Sequence, residues 1–344
     1  MKKNSLILQE INRRNFLKVA AGLTAIAYLP SCGGQSSVKS DKWGTLLPTR
    51  KLGKTGLDVT MFALGGGPPN YNYGSEEAAE SIVEAAFKGG CRFFETARSY
   101  SRGDSEQVFG KVLEPYRNEI IFSTKSRAMN ADTLNRELDL SLEAFKTSYI
   151  DIYLMHTVNT IDLIQQKFDN GVWDAMVKAK REGKVKHIGF SGCADYIPDN
   201  YMLDLDLPDL EVMLVPINVI DTLEHSFTLN TLPKAVSKNI GVMAMKPLGG
   251  GAMVGADITW GRGIGNSRPR VIPDVISMEE AQHFVYSMPI ASASFGCTSV
   301  SQVEEDIAFA KSFKQMSAAK QKDLIERVTA IAQNNLLEHY KGNI

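Results

Sequence analysis

The chain of 344 residues carries 38 Lys and Arg against 39 Asp and Glu, a formal net charge of -1, and 44% of it is hydrophobic. This balance gives no electrostatic reason to expect nucleic acid as a partner, which leaves small molecules as the default ligands. The length would suit two domains, yet an α/β barrel of ~250 residues or more also folds as one.

In chain order, the first 18 residues are basic on balance and contain Asn12-Arg13-Arg14-Asn15-Phe16-Leu17-Lys18, ahead of an apolar run over 19–29. That run fits the ~7–15 residues of a signal h-region and falls short of the ~20 that cross a bilayer. Residues 1–32 therefore resemble a twin-arginine export signal. Leu29-Pro30-Ser31-Cys32-Gly33-Gly34 resembles a lipobox, although Pro30 is unusual there. A lipid anchor through Cys32 and a periplasmic or membrane-tethered location are expected; the alternative is plain cleavage with Cys32 discarded or free. Residues 33–48 read as a flexible tether, leaving a folded unit over 49–344. Cys91, Cys193 and Cys297 form no C-x-x-C, so neither a structural zinc nor an iron–sulfur cluster has a ligand set. Each reads as a buried thiol beside a strand end.

Residues 50–59 alternate around a Gly-bounded turn and predict a β-hairpin. From Met61 the chain repeats a short apolar run, a turn and an amphipathic helix. Strands are expected at 62–64, 93–95, 120–124, 150–155, 187–191, 212–215, 241–245 and 292–295. Helices are expected at 76–88, 106–113, 132–145, 173–182, 232–237, 278–287 and 303–311. The stretch 196–207 writes a poor helix, since it carries Pro198 and several Asp. Together these predict a (β/α)8 TIM barrel, with a final helix within 318–339 built on Leu324, Val328, Ile331 and Leu336. Gly65-Gly66-Gly67 and Gly249-Gly250-Gly251 follow the first and seventh strands and suit either close approach to a ligand or simple turns. The segment 252–274, with Trp260, is long enough to be a lid or substrate wall.

Three strands end on ionisable side chains: Glu95, leading into Thr96-Ala97-Arg98-Ser99-Tyr100, then Lys125, then His156. Helical segments separate them, so their ends share one face of a parallel sheet, where α/β sites form. FFETARSY, SEQVFGKVL, IIFSTK, YIDIYLMH and GKVKHIGFSG, followed by GVMAMKPLGGG and FGCTSVSQVEED, resemble the aldo/keto reductases in order and spacing. The resemblance implies interconversion of a carbonyl and an alcohol with a nicotinamide cofactor, NADP or NAD, bound at the open end of the barrel. It also carries the family's catalytic Tyr, Lys, His and carboxylate onto Tyr100, Lys125, His156 and Glu95. The family has Asp where this chain has Glu95, and the extra methylene puts the position of the carboxylate in question.

The chemistry is consistent with those roles. A phenol, with a pKa of ~10 in water, is a poor acid at neutral pH, and a neighbouring ammonium favours its ionised form. Lys125 would supply the ammonium and Glu95 would compensate its charge. His156 would donate to the carbonyl oxygen or help pass the proton. Taken singly, Tyr100 suits a packed aromatic, His156 a core imidazole, and Glu95 with Lys125 a silent ion pair; their shared order along neighbouring strands favours a site.

For the cofactor, the resemblance implies Ser191 near the carboxamide, Lys246, Leu248 and Gly249 at the pyrophosphate, and Glu305 and Asp306 at adenine. Gly192, Leu214 and Ile217 depart from the Asn, Gln and aromatic usual at those positions, in the style of a bacterial branch. Gly296 and Gln302 stand where a Lys and an Arg commonly hold the 2′-phosphate, so little preference for NADPH over NADH is expected. The compartment suggests a sugar-like substrate. The rival reading is a non-catalytic ligand- or nucleotide-binding barrel lipoprotein.

Overall fold

The computed structural model describes residues 39–67, 75–254, 275–329 and 335–342. The expected export signal with Cys32, the tether as far as residue 38, and residues 255–274 with Trp260 lie outside the described residues. Two antiparallel hairpins come first: β1 (Ser40–Asp41) with β2 (Gly44–Thr45), and β3 (Thr49–Lys51) with β4 (Asp58–Thr60). Eight parallel strands then close into a barrel. They are β5 (Phe62–Gly65), β6 (Phe93–Glu95), β7 (Ile121–Ser126), β8 (Ile150–His156), β9 (Val185–Ser191), β10 (Leu210–Pro216), β11 (Gly241–Met245) and β12 (Ser292–Phe295). Helices on the outside are α1 (Glu76–Lys88), α2 (Asp104–Leu113), α3 (Ala131–Ala144), α4 (Ile161–Asp169), α5 (Val172–Arg181), α6 (Tyr196–Asp204), α7 (Phe227–Asn230), α8 (Leu232–Ser237), α9 (Met278–Tyr286), α10 (Val300–Ser312) and α11 (Ala318–Thr329). This is the expected TIM barrel.

Strand alternation decides what each side chain faces. Ala63, Phe93, Ile152, Leu154, Val212, Leu214 and Met243 fill the barrel interior, and Leu52 and Val59 of the second hairpin plug its floor. Their neighbours Phe62, Phe94, Phe122, Tyr153, Met155, Met213 and Val215 pack outward under the helices. All seven residues of β8 are buried, because a parallel strand is covered on both faces. The interior face of β8 continues from Ile152 and Leu154 to His156, so the apolar filling ends in a polar layer at the C-terminal end of the strands.

Several elements differ from expectation. Residues 39–48, expected as tether, are docked on the floor side. Arg92 grips both carboxylate oxygens of Asp41, at 2.7 and 3.1 Å, and Trp43 packs edge-on against Tyr116. Leu47 N–H donates to the Gly90 carbonyl. The folded unit therefore starts by Lys39, ten residues before the expected boundary. Helix α4 was not expected; Thr160 caps it by accepting from Leu163 N–H at 3.1 Å. Helix α6 forms despite Pro198, which sits in the first turn where its missing N–H costs nothing, behind the Asp195 cap. Cys91 and Cys297 are buried as expected, but Cys193 is only half-buried. The C-terminal helix is described over Ala318–Thr329, and Asn335–Glu338 form a separate 3-10 turn, so the expected stretch 318–339 is not one α-helix throughout.

The last described stretch, 335–342, straps across the mouth. Asn218, just after β10, donates to Glu338 Oε1 at 3.0 Å and to the Tyr340 hydroxyl at 3.1 Å. Lys341 pairs with Asp221 and Glu338, and Gly342 N–H reaches the Ala194 carbonyl at 3.0 Å.

Candidate active site

The polar layer gathers the four residues named by the strand ends. Lys125 is almost fully buried, and its ammonium donates to Glu95 Oε1, to the Thr96 carbonyl at 2.7 Å and to the Tyr100 hydroxyl at 3.2 Å. The His156 ring meets the Tyr100 ring edge-on, 6.0 Å between centroids. Burial alone would push Lys125 toward its neutral form. The Glu95 carboxylate and the Tyr100 oxygen outweigh it and hold the lysine pKa above its usual value. His156 moves the other way: burial, then the charges of Lys125, Arg127, Lys246 and Lys167, hold its pKa well below the usual value. The imidazole is therefore neutral at physiological pH, and its buried Nδ1 has no hydrogen-bond partner among the described residues. It is an uncommitted polar group at the mouth of the barrel.

Three supporting residues were missed by sequence reasoning. Ser294 Oγ, on the interior face of β12, donates to Glu95 Oε2 at 2.8 Å. Strand β5 lies between β12 and β6, and Gly65 is in register with Glu95. A Cβ on Gly65 would stand 2.6 Å from the Ser294 hydroxyl, so the glycine opens the gap through which Ser294 reaches the longer carboxylate. Arg98 and Glu106 anchor the turn that carries Tyr100. Ser101 and Arg102, directly after the tyrosine, adopt φ of 44° and 57°, which L side chains disfavour. Arg98 holds that turn by donating to the Arg102 carbonyl at 2.7 Å and to Glu106 at 2.7 Å. Glu106 is fully buried and also accepts from Thr124 and Ser141. The glycine run after the first strand was the only sequence signal for any of these.

The expected cofactor residues divide. Ser191 is buried at the end of β9, in register with His156. Lys246 is half-buried with φ of 52°, and makes no ion pair among the described residues; its ammonium lies 5.0 Å over the Tyr340 ring. Leu248 and Gly249 are buried, and a Cβ on Gly249 would stand 2.7 Å from the Leu337 carbonyl, so the strap covers this loop. Gly296 is half-buried and Glu305 exposed. Asp306 does not suit the expected contact with adenine: it is fully buried and accepts from Gln282 and from Cys297 Sγ. Gln302 likewise turns inward, accepting from Thr298 N–H at 2.8 Å. A bound nicotinamide dinucleotide suits what remains: an imidazole nitrogen without a hydrogen-bond partner and an ammonium without an ion pair among the described residues, and a serine at the strand end beside the imidazole.

The aldo/keto reductase family model matches residues 61–334. The chain is similar to L-galactose dehydrogenase of Arabidopsis thaliana, 28% identical over 300 residues, covering 77% of this chain and 88% of the plant protein. It is also 28% identical over 222 residues to 6-dehydroglucose reductase of Novosphingobium aromaticivorans, covering 59% and 70% of the two chains. Among solved structures, the holo form of aldo-keto reductase AKR11C1 from Bacillus halodurans superposes with a TM-score of 0.65 at 21% identity, covering 82% of this chain and 96% of that one. The chain belongs to the aldo/keto reductase family, and is an NAD(P)-dependent oxidoreductase.

Proposed function

We propose that the protein interconverts a carbonyl and an alcohol on a sugar-like substrate, with Tyr100 as the general acid/base. The observation that carries this is the Tyr100 hydroxyl 3.2 Å from a buried ammonium that Glu95 keeps charged. Ser191 and Lys246 would hold the cofactor, which when bound exchanges hydride with the reacting carbon. In the reducing direction Tyr100 gives its proton to the substrate oxygen, and in the oxidising direction it takes that proton back. Neutral His156 donates a hydrogen bond to the same oxygen and so orients it. The likeness to L-galactose dehydrogenase along most of its length supports a sugar-like substrate.

The test is oxidation of L-galactose by wild type and Tyr100→Phe, followed by the absorbance of reduced nicotinamide. The variant should lose about 10²- to 10⁴-fold in rate. A variant as fast as wild type ends the acid/base role, and a wild type inert toward L-galactose and related aldoses ends the sugar reading.

Export completes the proposal. Arg13 and Arg14 ahead of the apolar run, and Cys32 after it, support a twin-arginine route and a lipid anchor on a bacterial envelope. Intact mass of the protein recovered from envelope fractions should match a chain beginning at a lipidated Cys32; an unprocessed chain beginning at Met1 would refute it.

A further inference from the structure

Lys167 is 1% exposed on the inner face of α4, one turn from the buried Ile164, and among the described residues no carboxylate touches it. Its ammonium donates to two backbone carbonyls, that of Ala128 at 3.2 Å and that of His156 at 3.1 Å. Ala128 lies three residues beyond Lys125, in the turn leaving β7, and His156 is the last residue of β8. One ammonium thus joins the two strand ends that carry the lysine and the imidazole of the site. An apolar side chain would fill this place without the cost of burying a charge that lacks a counter-ion. Burial and the Arg127 charge push the Lys167 pKa down to about 8 against the opposing pull of Glu137, so the ammonium form prevails at neutral pH.

We propose that Lys167 is a positioning residue for the reaction, cross-tying the ends of β7 and β8 so that His156 stands at a fixed distance from the Tyr100–Lys125 pair. This rests on the catalytic reading of that pair. Without the tie, the β8 end relaxes outward and the imidazole leaves its place over the substrate oxygen, while Lys246, just after β11 across the barrel, is left where it is to hold the cofactor. A displacement near 1 Å at such a distance lowers turnover by about 10²-fold.

The experiment compares wild type, Lys167→Met, Lys167→Gln and Lys167→Arg, each first checked for a cooperative thermal transition. Turnover is assayed with L-galactose, and imidazole ring resonances are recorded by NMR in the free protein, with His156→Gln to assign the His156 signal. Lys167→Met should lower kcat by about 10- to 100-fold, leave KM for the cofactor within about threefold, and shift the His156 resonances. Lys167→Arg, which retains charge and donors in a larger head group, should keep more of kcat than Lys167→Met. If Lys167→Met does not fold, the same loss and shift are read from Lys167→Gln. A folded Met or Gln variant with wild-type kcat and an unmoved His156 signal overturns the proposal. If wild type does not turn over L-galactose, the sugar reading fails, and the ring signal alone decides whether Lys167 holds His156.

Discussion

The Ser294 hydroxyl donates to the second oxygen of Glu95 across 2.8 Å, passing over the strand that carries Gly65. The first oxygen of Glu95 belongs to Lys125. A glutamate in this place is thus held at both ends, and its extra methylene is taken up by a hydroxyl from the far side of a gap that only glycine leaves open.

Removing that hydroxyl should be costly. Ser294→Ala leaves a buried carboxylate oxygen without a partner, at about 1–3 kcal/mol, and frees the carboxylate to swing. Urea unfolding should show the loss, together with reduced kcat. Gly65→Ala should mimic it by pushing the hydroxyl aside. A Ser294→Ala protein with the wild-type urea midpoint and rate would show the bond to be idle.

Acid should weaken the fold through His156. The unfolded chain takes up a proton there below its ordinary pKa of 6.5, whereas the folded ring refuses it until a much lower pH. The unfolded state then binds more protons, so stability falls as pH drops from 6.5 toward the lowered folded value. Thermal melts from about pH 7 to about pH 5 should show a shallower decline for His156→Gln than for wild type. Parallel slopes would mean the ring titrates normally.

Asp199 works with the opposite sign. It is fully buried on α6, neither carboxylate oxygen has a partner among the described residues, and burial with the nearby Asp195 raises its pKa well above 3.8. The folded protein keeps a proton that the unfolded chain releases, so stability present below about pH 3.8 is lost as the pH rises toward the folded value. Asp199→Asn should therefore be more stable than wild type near neutrality, by about 1–3 kcal/mol, and the gap should close toward acid. Equal melting temperatures at pH 7 would contradict this.

Cofactor preference can be read directly. Gln302 is engaged with Thr298 and Gly296 has no side chain, so neither offers a charge to a 2′-phosphate. NADH and NADPH titrated against intrinsic fluorescence should bind within about tenfold of each other. A larger advantage for NADPH would require a cation elsewhere.

Much of this architecture was legible because it is local. The runs ending in Glu95, Lys125 and His156 carry their own burial pattern, and alternation along each strand turns all three ends into the same layer. Ser294 was not legible, since it lies 199 residues from Glu95 and only barrel closure brings β12 near β6. Lys167 was hidden because α4 itself went unrecognised. Pro198 and the surrounding aspartates read as breakers, when one aspartate caps the helix and the proline occupies its first turn. Asp306 matched a motif by position, but its side chain turns into the packing between α9 and α10. Residues 39–48 read as the end of a tether when taken locally; Arg92, far along the chain, is what recruits Asp41.

The docked segment at Asp41 and Trp43 brings the chain into the fold at the end of the barrel opposite the catalytic layer, whereas Gly342 leaves it against Ala194 on the rim. A purification tag or immobilising support joined ahead of Lys39 would leave the entrance for substrate clear. The same cargo fused behind Gly342 would crowd the doorway.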